Sequence, residues 1–287
     1  MSTEKPLQFA VIGHPIAHSR SPQIHAAFAT QLGIRLVYER IDAAPEAFES
    51  TVEAFFAAGA TGMNVTVPFK ERAWQMAKAH LSASAANARA VNTLWMSDGA
   101  LHGCNTDGIG LVSDLQRLSM PLAHANILLV GAGGAARGVL GPLLANQCRH
   151  IRIINRTAAR AHELVTDWVK SHPGDSTKLS SGGLDEGACG EPFDLVINAT
   201  ASSLQGEALA LPDLLFGPAV HAYDMMYGKD LTPFLTQAKR AGCAHLADGL
   251  GMLVGQAARS FEIWLGQKPD PIPVIAQIRA QLQSAVR

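Results

Sequence analysis

The feature that most constrains the fold is a glycine-rich segment that joins a strand-like run to a helix-like run. Residues 126–130 form an apolar run, which is typical of a strand covered on both faces. Gly131 can make a tight turn, Gly133 lets the backbone approach a pyrophosphate, and Ala136 permits close helix–strand packing. A helix predicted over 135–145 would point its free N–H groups at the phosphates. This segment predicts dinucleotide binding at Gly131, Ala132, Gly133, Gly134 and Ala135; a glycine-rich turn without a ligand is the alternative.

The end of the next predicted strand, residues 151–155, indicates which dinucleotide is bound. NAD-binding proteins place Asp or Glu there, where the carboxylate accepts hydrogen bonds from the ribose 2′-OH. Here Arg156 stands at the position of a 2′-phosphate, Arg160 projects from the following helical turn to the same side, and Thr157 is a candidate N-cap. Guanidinium groups match phosphate oxygens, so NADP is favoured over NAD. Two solvated surface arginines are the alternative.

Strand-like and helix-like runs alternate along the chain, which indicates largely parallel α/β sheets. In the first half we predict strands over 7–13, 36–41 and 62–67, helices from Ser21 as N-cap to Gly33 and over 45–58 and 69–79, and a hairpin over 91–104. In the second half we predict strands over 126–130, 151–155, 195–199, 220–224 and 244–247, helices over 107–118, 135–145, 158–170 and 231–241, and a loop over 171–191. Helices over 252–265 and 273–285 end the chain.

This alternation predicts two α/β domains. An N-terminal substrate-binding and catalytic domain covers residues 1–106, with residues 250–287 packing back on it, and a Rossmann-type dinucleotide-binding domain covers residues 107–249. We expect the active site in a cleft between the two domains, where closure would exclude water before the chemical step.

Composition excludes several classes of function. The chain has 23 Lys and Arg against 24 Asp and Glu, a net charge of −1, so no bias towards nucleic acid or an anionic membrane is present. The four cysteines, at 104, 148, 189 and 243, are dispersed and lack metal-ligand spacing, so we expect no metal and free thiols in a reducing compartment. Without a signal-peptide pattern or an apolar stretch of roughly 20 residues, we expect a cytoplasmic protein, monomeric or homodimeric.

Small polar residues cluster where the predicted strands of the N-terminal domain end. The clusters are residues 13–22, 64–70, 91–93 and 105–108, which contain hydroxyls, amides, one lysine and one aspartate. In open α/β sheets, ligands bind beyond the carboxyl ends of the strands. These donors and acceptors suit a polyol that also carries a carboxylate.

An ordered set of motifs resembles the shikimate dehydrogenase family. The motifs are HSRSP, NVTVPFK, AVNT, NTDGIG, GAGGAARG, NRT, NAT, YDMMY and DGLGMLVGQA. They occur in the order of the family from Gly13 to about Gln256, so the resemblance covers nearly the whole chain. The resemblance implies NADPH-dependent interconversion of 3-dehydroshikimate and shikimate in chorismate biosynthesis.

The resemblance also implies roles for individual residues. Lys70 and Asp107 would be the catalytic pair, and Ser19 and Ser21 would bind the substrate carboxylate. The remaining substrate contacts would come from Asn64, Thr66, Asn92, Tyr227 and Gln256. The cofactor would be held by the glycine-rich turn and by Asn155, Arg156, Thr157, Arg160, Met225 and Gly249.

The chemistry fits these residue types. Reduction of a ring ketone develops negative charge on oxygen, and a hydrogen-bonded Lys–Asp pair can stabilise that charge and deliver a proton. We therefore expect Lys70 to be the principal acid or base, with Asp107 orienting it. Taken alone, Lys70 could be a solvated residue and Asp107 a helix N-cap.

Three alternatives remain open at this point. A quinate/shikimate dehydrogenase would share the Lys–Asp pair and use NAD, which Arg156 and Arg160 argue against. A non-catalytic ligand sensor on the same scaffold would be expected to lose Lys70 or Asp107. An unrelated two-domain dehydrogenase, such as a folate enzyme, would leave the N-terminal motifs unexplained.

Overall fold

The computed structural model describes residues 5–186, 192–200 and 209–284, and it divides into two compact units. The first unit is Met1–Gly110 with Val254–Ala280, and the second is Leu111–Leu253 with Gln281–Arg287. The unit boundaries after 110 and before 254 each lie four residues beyond the predicted ones after 106 and before 250. Both unit boundaries fall about one turn inside a helix, one in Asp107–Arg117 and the other in Leu250–Leu265.

The first unit is built on a mixed sheet. Its strands are β1 (Leu7–Gly13), β2 (Leu36–Asp42), β3 (Gly62–Val65), β4 (Thr93–Ser97) and β5 (Ala100–Cys104). Within the described residues their order is β2-β1-β3-β4-β5. The neighbours β2, β1 and β3 are parallel, whereas β4 runs antiparallel to β3 and β5. The carboxyl ends of β1, β3 and β5 and the start of β4 therefore lie along one edge.

Helices pack on this sheet. They are α1 (Ser21–Leu32), α2 (Phe48–Ala57), α3 (Lys70–Met76) and α4 (Ala83–Ala88). Phe48 and Phe69 stack with ring centroids 4.5 Å apart in the core beneath α2 and α3. In the strand β1, Phe9 packs against Trp264 at a centroid distance of 4.9 Å, and the indole N–H of Trp264 donates to the carbonyl of Leu94 at 3.1 Å.

Several local predictions for this unit were wrong in detail. Arg20, not Ser21, holds the N-cap position of α1, and Ser21 begins the helix. The strand predicted over 62–67 ends at Val65, before Pro68, which has no backbone N–H to donate to a sheet. The helix predicted over 69–79 covers only Lys70–Met76, and the short α4, capped by the Ser82 hydroxyl on the Ala85 N–H at 3.1 Å, was missed.

The second unit is built on a parallel sheet. Its strands are β6 (Asn126–Val130), β7 (His150–Ile154), β8 (Leu179–Gly182), β9 (Leu195–Asn198), β10 (His221–Asp224) and β11 (His245–Asp248). Among the described residues the order is β11-β10-β9-β6-β7-β8, and every pair is parallel. The chain proceeds from β6 to one side and returns to the other side at β9, so the order reverses between β6 and β9. This is the Rossmann strand order, which creates a ligand crevice at the reversal.

Further helices follow from residue 107 onwards, and those beyond residue 253 lie mainly in the first unit. They are α5 (Asp107–Arg117), α6 (Gly134–Ala145), α7 (Ala158–Ser171), α8 (Pro233–Arg240), α9 (Leu250–Leu265) and α10 (Pro271–Ser284). The loop predicted over 171–191 contains a 3₁₀ turn, Pro173–Lys178, and the edge strand β8. The sequence of β8, LSSG, is short and polar, so no apolar pattern marks it. Thiols are free at Cys104, Cys148 and Cys243, and Cys189 lies outside the described residues.

No helix within the described parts of the chain combines the length and the apolar character needed to cross a bilayer.

A buried carboxylate ties α5 to β10 in the second unit. Asp114 accepts hydrogen bonds from the Tyr223 hydroxyl and from Nε of Arg117, both at 2.8 Å, and it is 3% exposed. Gly251, in the first turn of α9, lies so close to this carboxylate that a Cβ atom would overlap the Asp114 side chain.

We expect Gly251→Ala to lower the free energy of unfolding by about 3 kcal/mol, because displacing the Asp114 carboxylate leaves a buried charge without its partners. Urea unfolding would measure the loss. Gly217→Ala is the control, since no heavy atom lies within 4 Å of a Cβ atom at that position. Equal losses in the two variants would contradict the explanation.

Candidate active site

The topology of the first unit gathers the polar clusters at one edge of its sheet. The strands β1, β3 and β5 run in the same direction, and β4 runs in the opposite direction. The residues that follow β1, β3 and β5 and the residue that precedes β4 therefore lie at the same edge of the sheet. Backbone hydrogen bonds join the segments: Val65 N–H donates to Asn92 O at 2.9 Å, and Thr66 N–H donates to Ile12 O at 3.0 Å. The predicted residues are therefore held on a rigid frame.

Lys70 and Asp107 form an ion pair at this edge. Lys70 begins α3 and Asp107 begins α5, and Nζ donates to Oδ2 at 2.6 Å. Their side chains are 29% and 14% exposed, so the pair is partly desolvated but still reached by solvent. Partial desolvation strengthens the attraction between the charges relative to an exposed pair.

Asn92 holds the carboxylate of that pair in place. Its Nδ2 donates to Asp107 Oδ1 and to Thr106 Oγ1, both at 2.9 Å, and its Oδ1 accepts from the Thr106 N–H at 2.9 Å. Gln256, on α9, brings Oε1 to within 3.4 Å of Asn92 Nδ2 and of Thr106 Oγ1. Asn92 is 3% exposed, and these bonds fix the orientation of its amide.

Asn64 lies at the centre of a second set of contacts. Its Oδ1 accepts from the Tyr38 hydroxyl at 2.6 Å, while its Nδ2 donates to Asn92 O at 3.0 Å and to Ser260 Oγ at 3.1 Å. Burial raises the pKa of Tyr38 well above its usual range, and the Ser21 hydroxyl partly offsets this. The phenol therefore remains a hydrogen-bond donor across the physiological range of pH.

The two serines lie next to each other. The Ser19 hydroxyl donates to Ser21 Oγ at 3.2 Å, and the Ser21 N–H donates to Ser19 Oγ at 3.3 Å. Arg40 anchors the loop because Nε and Nη2 donate to Ser19 O at 2.9 and 2.6 Å. The methyl group of Thr66 packs against Gly13.

A network thus joins most of the predicted site residues of the first unit, from Ser19 to Lys70. Three connecting residues were not assigned roles from the sequence: Tyr38, Thr106 and Ser260. Thr106 is part of the NTDG motif, and Ser260 follows Gln256 by one helical turn, so helical spacing could have indicated it. Tyr38 lies on a strand remote in sequence, and no local pattern marks it.

His25, on α1, is buried beside this network among aromatic rings. Its ring stacks on Tyr38 at a centroid distance of 4.3 Å and tilts against Trp264 at 5.4 Å. Nε2 is buried and has no hydrogen-bond partner among the described residues. Burial lowers the pKa of His25 from 6.5 to about 3, an effect that the Asn64 side chain partly offsets. The imidazole is therefore neutral in the folded protein.

This pKa predicts a dependence of stability on pH. Because the folded pKa lies below the unfolded value, the unfolded state binds the proton first, and stability falls as pH drops from about 6.5 towards 3. The loss is about 1.4 kcal/mol per pH unit, or about 2 kcal/mol between pH 6.5 and 5. Urea unfolding at pH 7 and pH 5 should show this loss in the wild type and a smaller one in His25→Phe. Identical losses would contradict the assignment.

The glycine-rich turn of the second unit has room for a dinucleotide. A Cβ atom at Gly133 or Gly134 would meet no heavy atom within 4 Å, and α6 begins at Gly134. The N-cap residue, Gly133, has no side chain to occupy the first N–H groups of the helix. Gly131 has a φ of 112°, which favours glycine. These features fit a pyrophosphate, with Ala132 and Ala135 flanking the opening.

The end of β7 presents the predicted phosphate-binding residues. Arg156, Thr157 and Arg160 are exposed, and Asn155 is half-buried, with Nδ2 donating to Thr157 O at 3.0 Å. Thr157 occupies the N-cap position of α7 but makes no side-chain capping bond, so its hydroxyl is not used by the helix. Two guanidinium groups and this hydroxyl can meet an anionic group at the adenosine ribose.

Met225, Tyr227 and Gly249 lie after β10 and β11, in the second unit. Gly249 N–H donates to Met226 O at 3.0 Å, and a Cβ atom at Gly249 would overlap the backbone of Met225. Met225 is buried. Tyr227, predicted to bind substrate, therefore belongs to the dinucleotide-binding unit rather than to the polar network of the first unit.

Comparison with known proteins agrees with this geometry. Residues 11–94 match the family "Shikimate dehydrogenase substrate binding domain", residues 114–205 match "Shikimate / quinate 5-dehydrogenase", and residues 249–283 match "Shikimate 5'-dehydrogenase C-terminal domain". The chain is 56% identical over 283 residues to "Shikimate dehydrogenase (NADP(+))" of Bordetella petrii, covering 98% of this chain and 99% of that protein.

Two crystal structures show the same fold. One is an Ael1 enzyme from Pseudomonas putida, with a TM-score of 0.88, 41% identity, and coverage of 98% of this chain and 100% of that one. The other is shikimate 5-dehydrogenase from Thermus thermophilus in complex with NADP(H) and shikimate, with a TM-score of 0.84, 34% identity, and coverage of 96% and 100%. These similarities extend over nearly the whole chain, and they show that this chain belongs to the shikimate dehydrogenase family.

Proposed function

We propose that this chain catalyses the reversible, NADPH-dependent reduction of 3-dehydroshikimate to shikimate, a step of chorismate and aromatic amino acid biosynthesis. The observation that carries the proposal is the Lys70–Asp107 ion pair, 2.6 Å long, within a frame of amides and hydroxyls. The relatives named for this NADP-dependent activity support it.

The residues of the second unit fit NADP. Gly131, Ala132, Gly133, Gly134 and Ala135 would hold the pyrophosphate at the start of α6. Asn155, Arg156, Thr157 and Arg160 would hold the adenosine ribose with its 2′-phosphate, and Met225 and Gly249 would border the nicotinamide. When bound, the reduced nicotinamide supplies a hydride to the carbonyl carbon of the substrate.

The first unit would bind and orient the substrate. Ser19 and Ser21 supply hydroxyls for its carboxylate. Asn64, Thr66, Asn92 and Gln256 would direct the ring hydroxyls, and Tyr227 of the second unit would add a further contact. Since Asn92 and Asn64 are held by several bonds each, their amides are oriented before the substrate binds.

Lys70 supplies the proton in the direction of reduction. As the carbonyl carbon gains a hydride, the carbonyl oxygen gains a proton from the ammonium of Lys70, so charge does not accumulate on oxygen. Asp107 orients the ammonium, and the partly exposed amine left on Lys70 regains a proton from solvent. In the direction of oxidation the order is reversed: the ammonium of Lys70 first releases a proton to solvent, and the resulting amine accepts the proton of the substrate hydroxyl.

The same residues argue against two alternative functions, NAD-dependent quinate oxidation and non-catalytic ligand sensing. NAD-dependent quinate oxidation lacks support because exposed Arg156 and Arg160 stand where a carboxylate would bind the ribose of NAD. A ligand sensor lacks support because the Lys70–Asp107 pair is intact.

Reduced-nicotinamide absorbance tests the proposal. Purified protein would be mixed with shikimate or quinate, each with NADP⁺ or NAD⁺. We expect strong signal only with shikimate and NADP⁺. Signal with quinate and NAD⁺ would favour a dual-specificity dehydrogenase, and no signal in any mixture would favour the sensor.

We further propose that the protein acts in the cytoplasm, which its free thiols support. A monomer or a homodimer is the expected assembly, and light scattering after size-exclusion chromatography would decide between the two.

A further inference from the structure

A fully buried carboxylate lies at the carboxyl end of β10. Asp224 Oδ1 accepts from Asn198 Nδ2 and from the Met226 N–H, both at 3.0 Å, and Oδ2 accepts from the Thr232 hydroxyl at 2.6 Å. Asp224 and Asn198 are both 0% exposed. Since burying a carboxylate is costly, these contacts must be satisfied together, and they hold three separate segments at fixed distances.

The contacts continue to the dinucleotide turn. Asn198 Oδ1 accepts from the Thr200 N–H at 3.0 Å and from the Thr200 hydroxyl at 2.8 Å. The Thr200 methyl group faces Gly131, where a Cβ atom would lie 3.0 Å from it. An unbroken path thus runs from the first glycine of the turn through Asn198 to Asp224 and Met226.

The other end of this path lies at the loop after β10. The Met225 N–H donates to Asn198 O, and the Gly249 N–H donates to Met226 O, both at 3.0 Å. Thr232 also caps α8 by accepting from the Leu235 N–H at 3.3 Å. Asp224 therefore ties together Asn198 at the end of β9, Met226 after β10 and Thr232 before α8, at the edge where ligands bind in this topology.

The topology indicates which part of the dinucleotide this edge serves. In a Rossmann sheet each half receives one nucleotide. The adenosine side is occupied by Arg156 and Arg160 after β7, so the half with β9 and β10 receives the nicotinamide nucleotide. The loop that Asp224 holds through the Met226 N–H borders that half.

We propose that Asp224 is a positioning residue for the nicotinamide end of NADP, acting through Met226 and, by way of Asn198, through Thr200. This proposal rests on the proposed function for its cofactor. Asp224 does not touch the dinucleotide; it fixes the backbone that does. Its effect is therefore expected to be largest for ligands that carry the nicotinamide half.

Binding of two ligands tests this role. NADP⁺ carries both nucleotides, whereas 2′,5′-ADP carries the 2′-phosphate and adenosine without the nicotinamide. Calorimetry on Asp224→Ala should show the dissociation constant of NADP⁺ rising about tenfold or more, while that of 2′,5′-ADP changes less than about twofold. Asp224→Asn should recover much of the NADP⁺ affinity, because its amide oxygen still accepts from Asn198 and Met226.

Thr232→Val supplies a milder second variant, which keeps the Asp224 carboxylate but removes the hydroxyl's bonds to Oδ2 and to the Leu235 N–H, and it should weaken NADP⁺ selectively by about threefold. Asp114→Asn is the matched control, a buried carboxylate of the same unit that should lower the melting temperature without changing the ratio of the two affinities. The proposal would be overturned if, in Asp224→Ala and Thr232→Val, the dissociation constants of NADP⁺ and 2′,5′-ADP rose by the same factor. It would also be overturned if the dissociation constant of NADP⁺ did not change in these variants. A wild-type protein that binds NADP⁺ but does not oxidise shikimate would overturn the proposed reaction alone.

Discussion

Replacing Lys70 with alanine is expected to lower kcat for shikimate oxidation by about 10²- to 10⁴-fold, the usual contribution of a positioned acid or base. The ammonium is the cation that Asp107 holds at 2.6 Å, and alanine supplies neither its charge nor its proton. The dissociation constant of NADP⁺ should change less than about twofold, because no residue of the glycine-rich turn or of the β7 end is altered. Steady-state kinetics and calorimetry would measure the two effects.

Lys78→Ala is the matched control for this prediction. Lys78 follows α3, is exposed and lies 5.9 Å from the Trp74 ring centroid, so its removal takes away a lysine without altering the ion pair. Its kcat should match that of the wild type. Near-normal turnover of Lys70→Ala would show that another group transfers the proton.

The double variant Arg156→Ala/Arg160→Ala is expected to raise the dissociation constant of NADP⁺ by about 100-fold, while the dissociation constant of NAD⁺ changes by less than about threefold. Each guanidinium that bonds the 2′-phosphate contributes about 1.5 kcal/mol after screening by solvent, and 1.4 kcal/mol corresponds to a factor of ten. Calorimetric titration of the two nucleotides would measure the change in preference. The rise should be smaller at high salt, because both side chains are exposed.

Arg240→Ala controls for the loss of surface charge. Arg240 belongs to the same unit, is 73% exposed and pairs with Asp213 at 3.3 Å. It should leave both affinities unchanged. If the double variant weakened NAD⁺ and NADP⁺ equally, the arginines would not read the 2′-phosphate, and the choice of cofactor would need another explanation.

The fold was predictable wherever a strand or helix is long and carries its own apolar pattern. The buried strands β1 and β6 were assigned with the bounds that the structure shows. The short helix α4 and the edge strand β8 were missed. Three of the four residues of β8 are polar or small, so this strand depends on pairing with β7 rather than on an apolar pattern of its own. The early end of β3 reflects the Pro68 turn, which periodicity does not reveal.

The site was predictable only as a set of motifs. Ser19, Asn64, Asn92 and Gln256 were named because their motifs resemble a family, whereas the connecting Tyr38 and Ser260 were not. Tyr38 reaches Asn64 across the sheet from β2, and Ser260 reaches Asn64 over a separation of 196 residues. Contacts between residues so far apart in sequence depend on the sheet order and on the placement of α9.

The sequence alone determined the elements with local causes: the glycine-rich turn, in which Gly131 has a positive φ that favours glycine, the absence of a carboxylate after β7, and the alternation of strands and helices. The tertiary structure decided which side chains meet. Lys70 and Asp107 are 37 residues apart and meet because α3 and α5 both begin at the edge where β3 and β5 end. Asp224 reaches Asn198, 26 residues away, because β10 lies beside β9 in the sheet. Turn and helix preferences act over a few residues, whereas such meetings follow from burial and strand pairing of the whole chain.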